Sequence, residues 1–427
     1  MKKNFWSILA VLLAALFVSV TSVQAADISF GGQLLERAEY VDKDEDLDAG
    51  DWQVAQRLRI NTTVKASGIT MFSQLTHTHN WATNVGPGVD GNADVGVHQA
   101  NLTIPNIYDT GWTAKLGRQE IVFDGHRIFG HTGWHLDAVT HDAAVLINPA
   151  WDLTYALSWM AEENEANVNG DALAHVLRKG MSLAGGKTAL YWVTVDDNTG
   201  GDHVVWNTAG IRQAGKTAGY DYRVELYKQF GTVLPARAAG TQITGKAADI
   251  EEAYMVGGRI GKKVGDTKVT LWYDYLSGTD DAQVNANEVG AFHTLYDTGH
   301  KFAGLMDNFL NPAGSGTDYL GLQDLAIKFV KPMAPGWTLK ADLHQFWTAV
   351  DPGDNLGAWA GNNSDDSKAS KDLGHELDLT LKNKYNANTA VQFGYSFFNG
   401  STTWQNIDQD TENKNKHWAY AQVNFTY

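Results

Sequence analysis

The sequence predicts an all-β protein, a single transmembrane antiparallel β-barrel of about eighteen strands, and three observations carry that expectation. Residues His417 to Tyr427 alternate: Ala419, Ala421, Val423, Phe425 and Tyr427 fall on one face, Gln422, Asn424 and Thr426 on the other. Segments with the same period-two pattern recur along the chain, each near the length a tilted strand needs to cross lipid. The connections between them alternate short and long. Outer-membrane barrels have short turns at one rim and longer loops at the other, whereas a soluble sandwich has no reason to sort loop length by parity.

Taken in order, the chain opens on a basic start, Met1-Lys2-Lys3, an apolar run from Ile8 to Val20 and a small-residue site, Val23-Gln24-Ala25. That pattern predicts a secretory signal peptide over residues 1–25, removed before folding, and one barrel domain over 26–427. The predicted strands are 28–40, 52–66, 69–81, 96–105, 111–122, 137–147, 151–161, 173–184, 187–196, 203–214, 219–230, 251–262, 267–277, 320–331, 337–348, 374–384, 388–398 and 416–427. In 52–66, Val54, Leu58, Ile60 and Val64 share a face, and Arg57, Arg59, Asn61, Thr63 and Lys65 share the other. In 267–277, Val269, Leu271, Tyr273 and Tyr275 oppose Lys268, Thr270, Trp272 and Asp274; in 374–384, Leu377, Leu379 and Leu381 oppose Glu376, Asp378 and Lys382. An Arg or Lys facing lipid near the midplane costs about 2–4 kcal/mol, so the charged faces must line the lumen.

Composition fits that architecture and excludes others. There is no cysteine, hence no disulfide, thiolate metal site or covalent haem attachment, and no cofactor is expected. Hydrophobic residues make up 43% of the chain, too few for a helical membrane protein but suited to strands wetted on one side. The 15 Trp and 16 Tyr suit aromatic belts at two lipid–water interfaces. The formal charge of −16 argues against a nucleic-acid partner. Much of the acid lies in runs expected on the solvated surface: Asp42 to Asp46, Glu162-Glu163, Asp280-Asp281 and Asp365-Asp366.

Alternation places Arg37, Arg57, Arg59, Lys65, Arg223, Arg259, Lys328, Lys340 and Lys382 on the inner face, with Glu39, Glu225, Asp274, Asp324, Asp342, Glu376 and Asp378. A barrel of this size encloses an aqueous channel unless loops plug it, and charged side chains in such a channel select solutes by sign. Arg57 and Arg59 are consecutive inward positions suited to carboxylates or phosphates. The alternative for any one of them is a wall-holding ion pair with an inward acid.

Three stretches carry a family resemblance. Gly117-Arg118-Gln119 precedes Asp124, Arg127, Gly130, Trp134 and Asp137. Phe292 to Phe302 reads Phe-His-Thr-Leu-Tyr-Asp-Thr-Gly-His-Lys-Phe, followed by Gly304 and Met306-Asp307. Gly321-Leu322-Gln323-Asp324 is followed by His344-Gln345-Phe346-Trp347. Together they resemble the alginate-export porin family, over nearly the whole chain after the leader. The resemblance implies an eighteen-stranded outer-membrane barrel and passage of an anionic polysaccharide or smaller anions through an Arg/Lys-lined constriction. On that reading Arg57, Arg59, Arg118 and Arg127 hold the constriction, the last two from the third outer loop and its root, with Asp124 and Asp137 beside them. Two departures stand out: no long turn near 385–387 of the kind that plugs the alginate porin, and many inward acids.

His126, His131, His135 and His141 lie near Asp124, Asp137 and Asp142, and His77 shares a strand face with His79, but their spacing matches no metal signature. No Gly-x-Ser-x-Gly elbow is present, and an enzyme is not expected. The expected function is a channel in the outer membrane of a Gram-negative bacterium for anionic or polar solutes. Its expected partners are membrane lipid, lipopolysaccharide and, through the C-terminal strand, the barrel assembly machinery. The alternative is a barrel presenting surface loops, above all 278–319, for adhesion or to a partner envelope complex.

Overall fold

A computed structural model describes residues 26–42, 51–81, 95–161, 170–199, 202–234, 247–310, 316–352, 370–408 and 415–427. The predicted leader and the acidic runs at 43–46, 162–163 and 365–366 lie outside the described residues. The strands are β1 (Asp27–Asp42), β2 (Asp51–Ala66), β3 (Ile69–Asn80), β4 (Gly96–Ile104), β5 (Thr113–Gln119), β6 (His141–Asn148), β7 (Leu153–Ala161), β8 (Ala172–Leu183), β9 (Gly186–Asp197) and β10 (Val204–Thr217). They continue with β11 (Tyr220–Val233), β12 (Ala248–Ile250), β13 (Tyr254–Val264), β14 (Thr267–Leu276), β15 (Glu288–Val289), β16 (Leu322–Ala334), β17 (Trp337–Trp347), β18 (Asp372–Lys384), β19 (Thr389–Gly400) and β20 (Asn415–Thr426). All but β12 and β15 build the wall, a closed antiparallel barrel of eighteen strands. The two short strands pair with each other in parallel inside the connections, Asp249 opposite Glu288.

Closure joins β20 to β1 in register from Gln33 opposite Thr426 to Asp42 opposite His417. Beyond it, Gly32 and Tyr427 exchange backbone hydrogen bonds of 3.1 and 3.2 Å. A Cβ at Gly32 would lie 2.5 Å from the Arg59 carbonyl and 2.6 Å from the Tyr427 ring, so the seam accepts only glycine there.

The outer face is apolar, as alternation predicts. Leu58, Ile60, Leu75, Leu190, Leu226, Val256, Leu271, Ile327, Leu343 and Phe425 are all exposed on it. Exposed Trp52 and Trp81 mark the rim with the long loops, and exposed Tyr108, Trp151 and Tyr385 mark the rim with the short turns. The inner face is polar, with Arg37, Arg57, Arg59, Arg223, Glu225, Asp274, Asp324 and Glu376 all buried.

The buried core sits inside the barrel. The connection 120–140, and Phe292 to Phe309 of the connection after β14, fold inward. Ile121, Ile128 and Phe129 of the first join Phe292, Met306 and Phe309 of the second in one cluster with wall residues Val176, Val193, Tyr227, Met255, Phe346 and Phe398. The loops also pair with each other: Phe129 and Tyr296 form an isolated parallel bridge. Gly130 donates to the Tyr296 carbonyl at 2.7 Å, and a Cβ on Gly130 would stand 2.1 Å from the Thr298 hydroxyl. Two short helices finish the connections. Helix α1 (Asp281–Ala286) is capped reciprocally by Asp280 and Gln283, and α2 (Thr402–Asp408) brings Trp404 to within 4.8 Å of the Phe398 ring.

Here the expectation for 111–122 and 137–147 is corrected at one end each. The strands stop at Gln119 and resume at His141. Asp124, His126, Thr132 and Ala138 all adopt positive φ, a left-handed conformation that an extended strand cannot contain. Of the connection 278–319, named for the alternative reading, the residues Phe292, Met306 and Phe309 pack into the lumen, whereas Asp280 to Ala282 and Asn285 to Asn287 are exposed.

Candidate functional site

The loop 120–140 is hung across the lumen by side chains from eight strands. On β8, Arg178 clasps Asp124 through two hydrogen bonds of 2.8 and 3.0 Å, and Tyr191 of β9 donates to the same carboxylate. Arg127 is buried against Asp274 of β14 and Glu225 of β11, and its guanidinium lies 3.5 Å from the centre of the Phe302 ring. Burial alone would depress this guanidinium, but Asp274, Glu225 and Asp297 outweigh it and hold the charge. Arg57 of β2 then shares one Nη between the carbonyls of Gly133, His135 and Leu136 at 3.3, 3.0 and 3.1 Å. Arg37 of β1 donates to the Trp134 carbonyl at 2.9 Å and stands 4.2 Å over its ring. Thr78 of β3 holds Asp137 at 2.9 Å, and His98 of β4 holds Glu120 at 2.9 Å.

The second loop locks onto the first and onto the far wall. His300 stacks on Trp134 at 4.5 Å. Glu376 of β18 accepts from the backbone N–H groups of Leu305 and Met306 at 2.7 and 2.9 Å, and Gln229 of β11 exchanges two hydrogen bonds of 2.9 Å with the His293 backbone. Enclosure between the loops shifts several of their groups. Burial pushes the Asp297 carboxyl up to about 7, with Arg127 and Thr294 pulling the other way. Burial, with Lys301 and His131 nearby, brings His126 down to about 4.

The wall formed by β20 and β1 to β4 stays open on both sides of Gly133-Trp134. On the long-loop side a cavity of about 520 Å³ lies between Glu39, Gln53, His79, Asp137, Asp307 and Trp418. On the short-turn side a cavity of about 420 Å³ lies between Gln33, Arg59, Gln74, Gln99, Glu120 and Gln422. Trp134 borders both. Gly133-Trp134, in the segment latched by Arg57, therefore borders both cavities through Trp134.

Across the lumen the charge is unbalanced. Arg212 and Arg223 approach Glu225 at 3.3 and 3.0 Å. Arg223 stands directly opposite Arg259 in register. The guanidinium groups of both, and the Lys328 ammonium, face the Trp272 ring at 4.3, 5.4 and 5.2 Å. Lys301 from the second loop completes the group. Burial lowers its pKa, and Arg223, Arg259 and Arg212 lower it further. Asp221, the remaining acid near Arg259, is already paired with Lys268 at 2.9 Å.

The predicted site residues therefore separate. Arg37, Arg57 and Arg59 come together beside the loop 120–140, and Arg223 and Arg259 face them across the barrel. Arg127 is placed from the predicted loop but does not line an opening: its side chain is 3% exposed and bound within an ion pair. Arg118 is corrected outright. It pairs with Asp142 at 2.7 Å, and Asp142 alternates with the buried, inward His141 and Ala143, so both lie on the outer face of the wall. Register through Gly117 is unbroken, so alternation along β5 already sets Arg118 on the side of Leu116. Asp124 and Asp137 are spent on anchoring the loop. Sequence reasoning missed Arg178, Arg212 and Lys301. Arg212 and Arg178 lie on predicted strands, and the parity rule applied to them would have found both. Among the described residues no group of three metal-ligating side chains converges.

Comparison with solved structures gives the same fold in outer-membrane porins. OccAB1 of Acinetobacter baumannii superposes with a TM-score of 0.60 at 13% identity, over 93% of this chain and 96% of that one. The outer membrane protein OprD of Pseudomonas aeruginosa superposes with 0.57 at 12% identity, over 93% and 94%. OccK8 (OprE) of the same organism gives 0.57 at 9%, over 94% and 98%. None of the curated proteins compared matches the sequence. The sequence profile of the family described as alginate export matches residues 27–417. With a porin barrel, an apolar outer face in contact with lipid and a polar lumen, the chain is an outer-membrane channel for solutes, and it belongs to the alginate export family.

Proposed function

We propose that this protein conducts anionic solutes, saccharide acids or an anionic oligosaccharide among them, across the outer membrane, with the loop 120–140 as its constriction and inward arginines as its charge filter. The observation that carries the reading is the basic group on β10, β11 and β13. Arg127, Arg212, Arg223, Arg259 and Lys301 gather around Glu225 and Asp274, with Asp297 beside Arg127 and Asp221, near Arg259, already paired with Lys268. Like charges directly opposite across a sheet are destabilising, so an unpaired cation such as Arg259 is better explained by a task than by wall stability. A cationic group in a low-dielectric wall draws anions and repels cations. Such a filter must release what it binds, and the short separation between several cations allows an anion to move from one to the next. We also place residues 1–25 as a removed export signal and 26–427 as the barrel domain. The test is the reversal potential of the purified protein in a planar bilayer under a potassium chloride gradient. A chloride-side potential is expected; a potassium-side potential would end the anionic reading while leaving a channel.

A further inference from the structure

The cavity of about 420 Å³ beneath Gly133-Trp134 has a chemistry different from the basic group across the lumen. Five of its lining side chains are amides: Gln33 from β1, Gln74 from β3, Gln99 from β4, and Gln422 and Asn424 from β20. They are joined edge to edge. Gln33 donates to Asn424 at 2.9 Å, and Gln99 donates to Gln74 at 3.4 Å. The lining also holds His131, and Arg59 with Glu120, 3.7 Å apart; the Arg57 guanidinium donates to Gln33 at 3.1 Å as well as to loop carbonyls. The Gln422 carbonyl oxygen is buried without a hydrogen-bond partner among the described residues.

A carboxamide carries two donors and an acceptor on one rigid plane. A hydroxyl is both donor and acceptor, so a belt of amides satisfies a ring of hydroxyls in any rotation, and does so without regard to net charge. An anion uses only the donor half of each amide, whereas a hydroxyl uses both halves. The volume falls in the range of about 300–1,000 Å³ that small-molecule sites occupy. The alternation of strands that line the cavity places these amides in consecutive inward positions, Gln422 and Asn424 on one strand, beside Gly133-Trp134.

We propose that this chamber is a subsite for polyhydroxylated solutes of mono- or disaccharide size, which it holds by their hydroxyls rather than by their charge. The proposal rests on the channel reading and deepens it: the amide chamber recognises the sugar, and the arginines across the lumen recognise the acid. Uncharged maltose therefore binds although it lacks the charge that the filter selects.

The experiment is single-channel recording with maltose in the bath, compared with polyethylene glycol of equal hydrodynamic size. Maltose is expected to interrupt the current reversibly and in proportion to its concentration, and polyethylene glycol is not. Gln422→Leu removes an acceptor that has no hydrogen-bond partner among the described residues, and Gln74→Leu removes an amide on a separate strand together with its bonds to Asn61 and Gln99. Each is expected to weaken maltose block about tenfold, as loss of one hydrogen bond does. Equal block by both solutes, or block unchanged in both variants, would overturn the proposal. If the protein carries no current, the channel reading fails by itself. Ligand-observed NMR of maltose with the detergent-solubilised protein then decides the chamber: saturation transfer that Gln422→Leu abolishes supports it, and none with the wild type overturns it. The reversal potential read in the same bilayers separates failure of the anionic reading from failure of this one.

Discussion

Arg223 and Arg259 are Cα partners on adjacent strands, and both guanidinium groups rest against the Trp272 ring, at 4.3 and 5.4 Å. The ring face offers each a cation–π contact of about 0.5–2 kcal/mol, which offsets their mutual repulsion. Only Arg223 has a close carboxylate, Glu225 at 3.0 Å. In the proposed filter, Arg259 is thus the charge left to meet a passing solute.

Replacing that charge separates filter from scaffold. Arg259→Gln is expected to move the reversal potential toward potassium, and to leave the melting transition unchanged or up to about 1 kcal/mol more favourable, because a like-charge pair disappears. The wild-type preference should also shrink between 0.1 and 1 M salt, as the Debye length falls from about 10 to about 3 Å. An unchanged reversal potential in Arg259→Gln would remove this residue from the filter.

Arg57 acts on the loop rather than on the solute. Hydrogen bonds to a charged donor are worth about 1.5–3 kcal/mol, and this guanidinium supplies the wall's hold on Gly133, His135 and Leu136. Arg57→Gln is expected to shift this segment toward an open position about tenfold or more, seen as larger or noisier single-channel current. Arg59→Gln, which loses contacts to His98 and Glu120 but none to the loop carbonyls, is the comparison. Equal currents in the wild type and Arg57→Gln would show that the segment is held without it.

The wall was legible in the sequence because lipid imposes one rule on every strand. Alternation in 52–66 already sorts Leu58 and Ile60 from Arg57 and Arg59, and the structure exposes the first pair and buries the second. The lumen was less legible, because its packing obeys no period. Phe129 and Tyr296, 167 residues apart by number, meet in a parallel bridge that neither local sequence announces. The same gap explains Arg127, which finds two carboxylates on strands far along the chain. Arg118 is a different case: it was assigned from its motif, whereas alternation, which runs in unbroken register through Gly117, sets it outward with Leu116. Position in a basic motif does not say whether a charge is free.

Asp297 makes a pH dependence that one substitution isolates. Its carboxyl titrates near 7 in the folded loop because burial penalises the anion, against an ordinary value of about 4. A raised carboxyl pKa favours the folded state fully below about pH 4, and the advantage is lost as pH rises from there through 7. Asp297→Asn has no proton to lose. Relative to the wild type, the variant is expected to gain stability progressively between pH 4 and 7 and to hold that gain above. His126, held near 4, contributes the opposite slope to both proteins and cancels in the comparison. Parallel profiles from thermal melts in detergent would contradict the assignment.

Arg127 is the test of whether the two loops stand as one body. Its guanidinium joins the first loop to Asp274 and Glu225 on the wall and to Phe302 of the second loop. Removing one member of a buried ion pair costs about 3–5 kcal/mol, because the other charge is left without a partner. Glu225 keeps Arg223 and Arg212, so the uncompensated charge in Arg127→Met is that of Asp274. Hence Arg127→Met should destabilise by an amount in that range, and adding Asp274→Asn should recover much of it. Both should leave the barrel itself heat-resistant, since the wall strands pair through backbone bonds that the substitutions do not touch. Proteolysis of folded protein reports on the loops separately from the wall. Cleavage between residues 120 and 140 in Arg127→Met, suppressed again in the double variant, is the expected pattern; a resistant Arg127→Met would mean that the apolar contacts of Ile128 and Phe129 hold the loops in place without the charge.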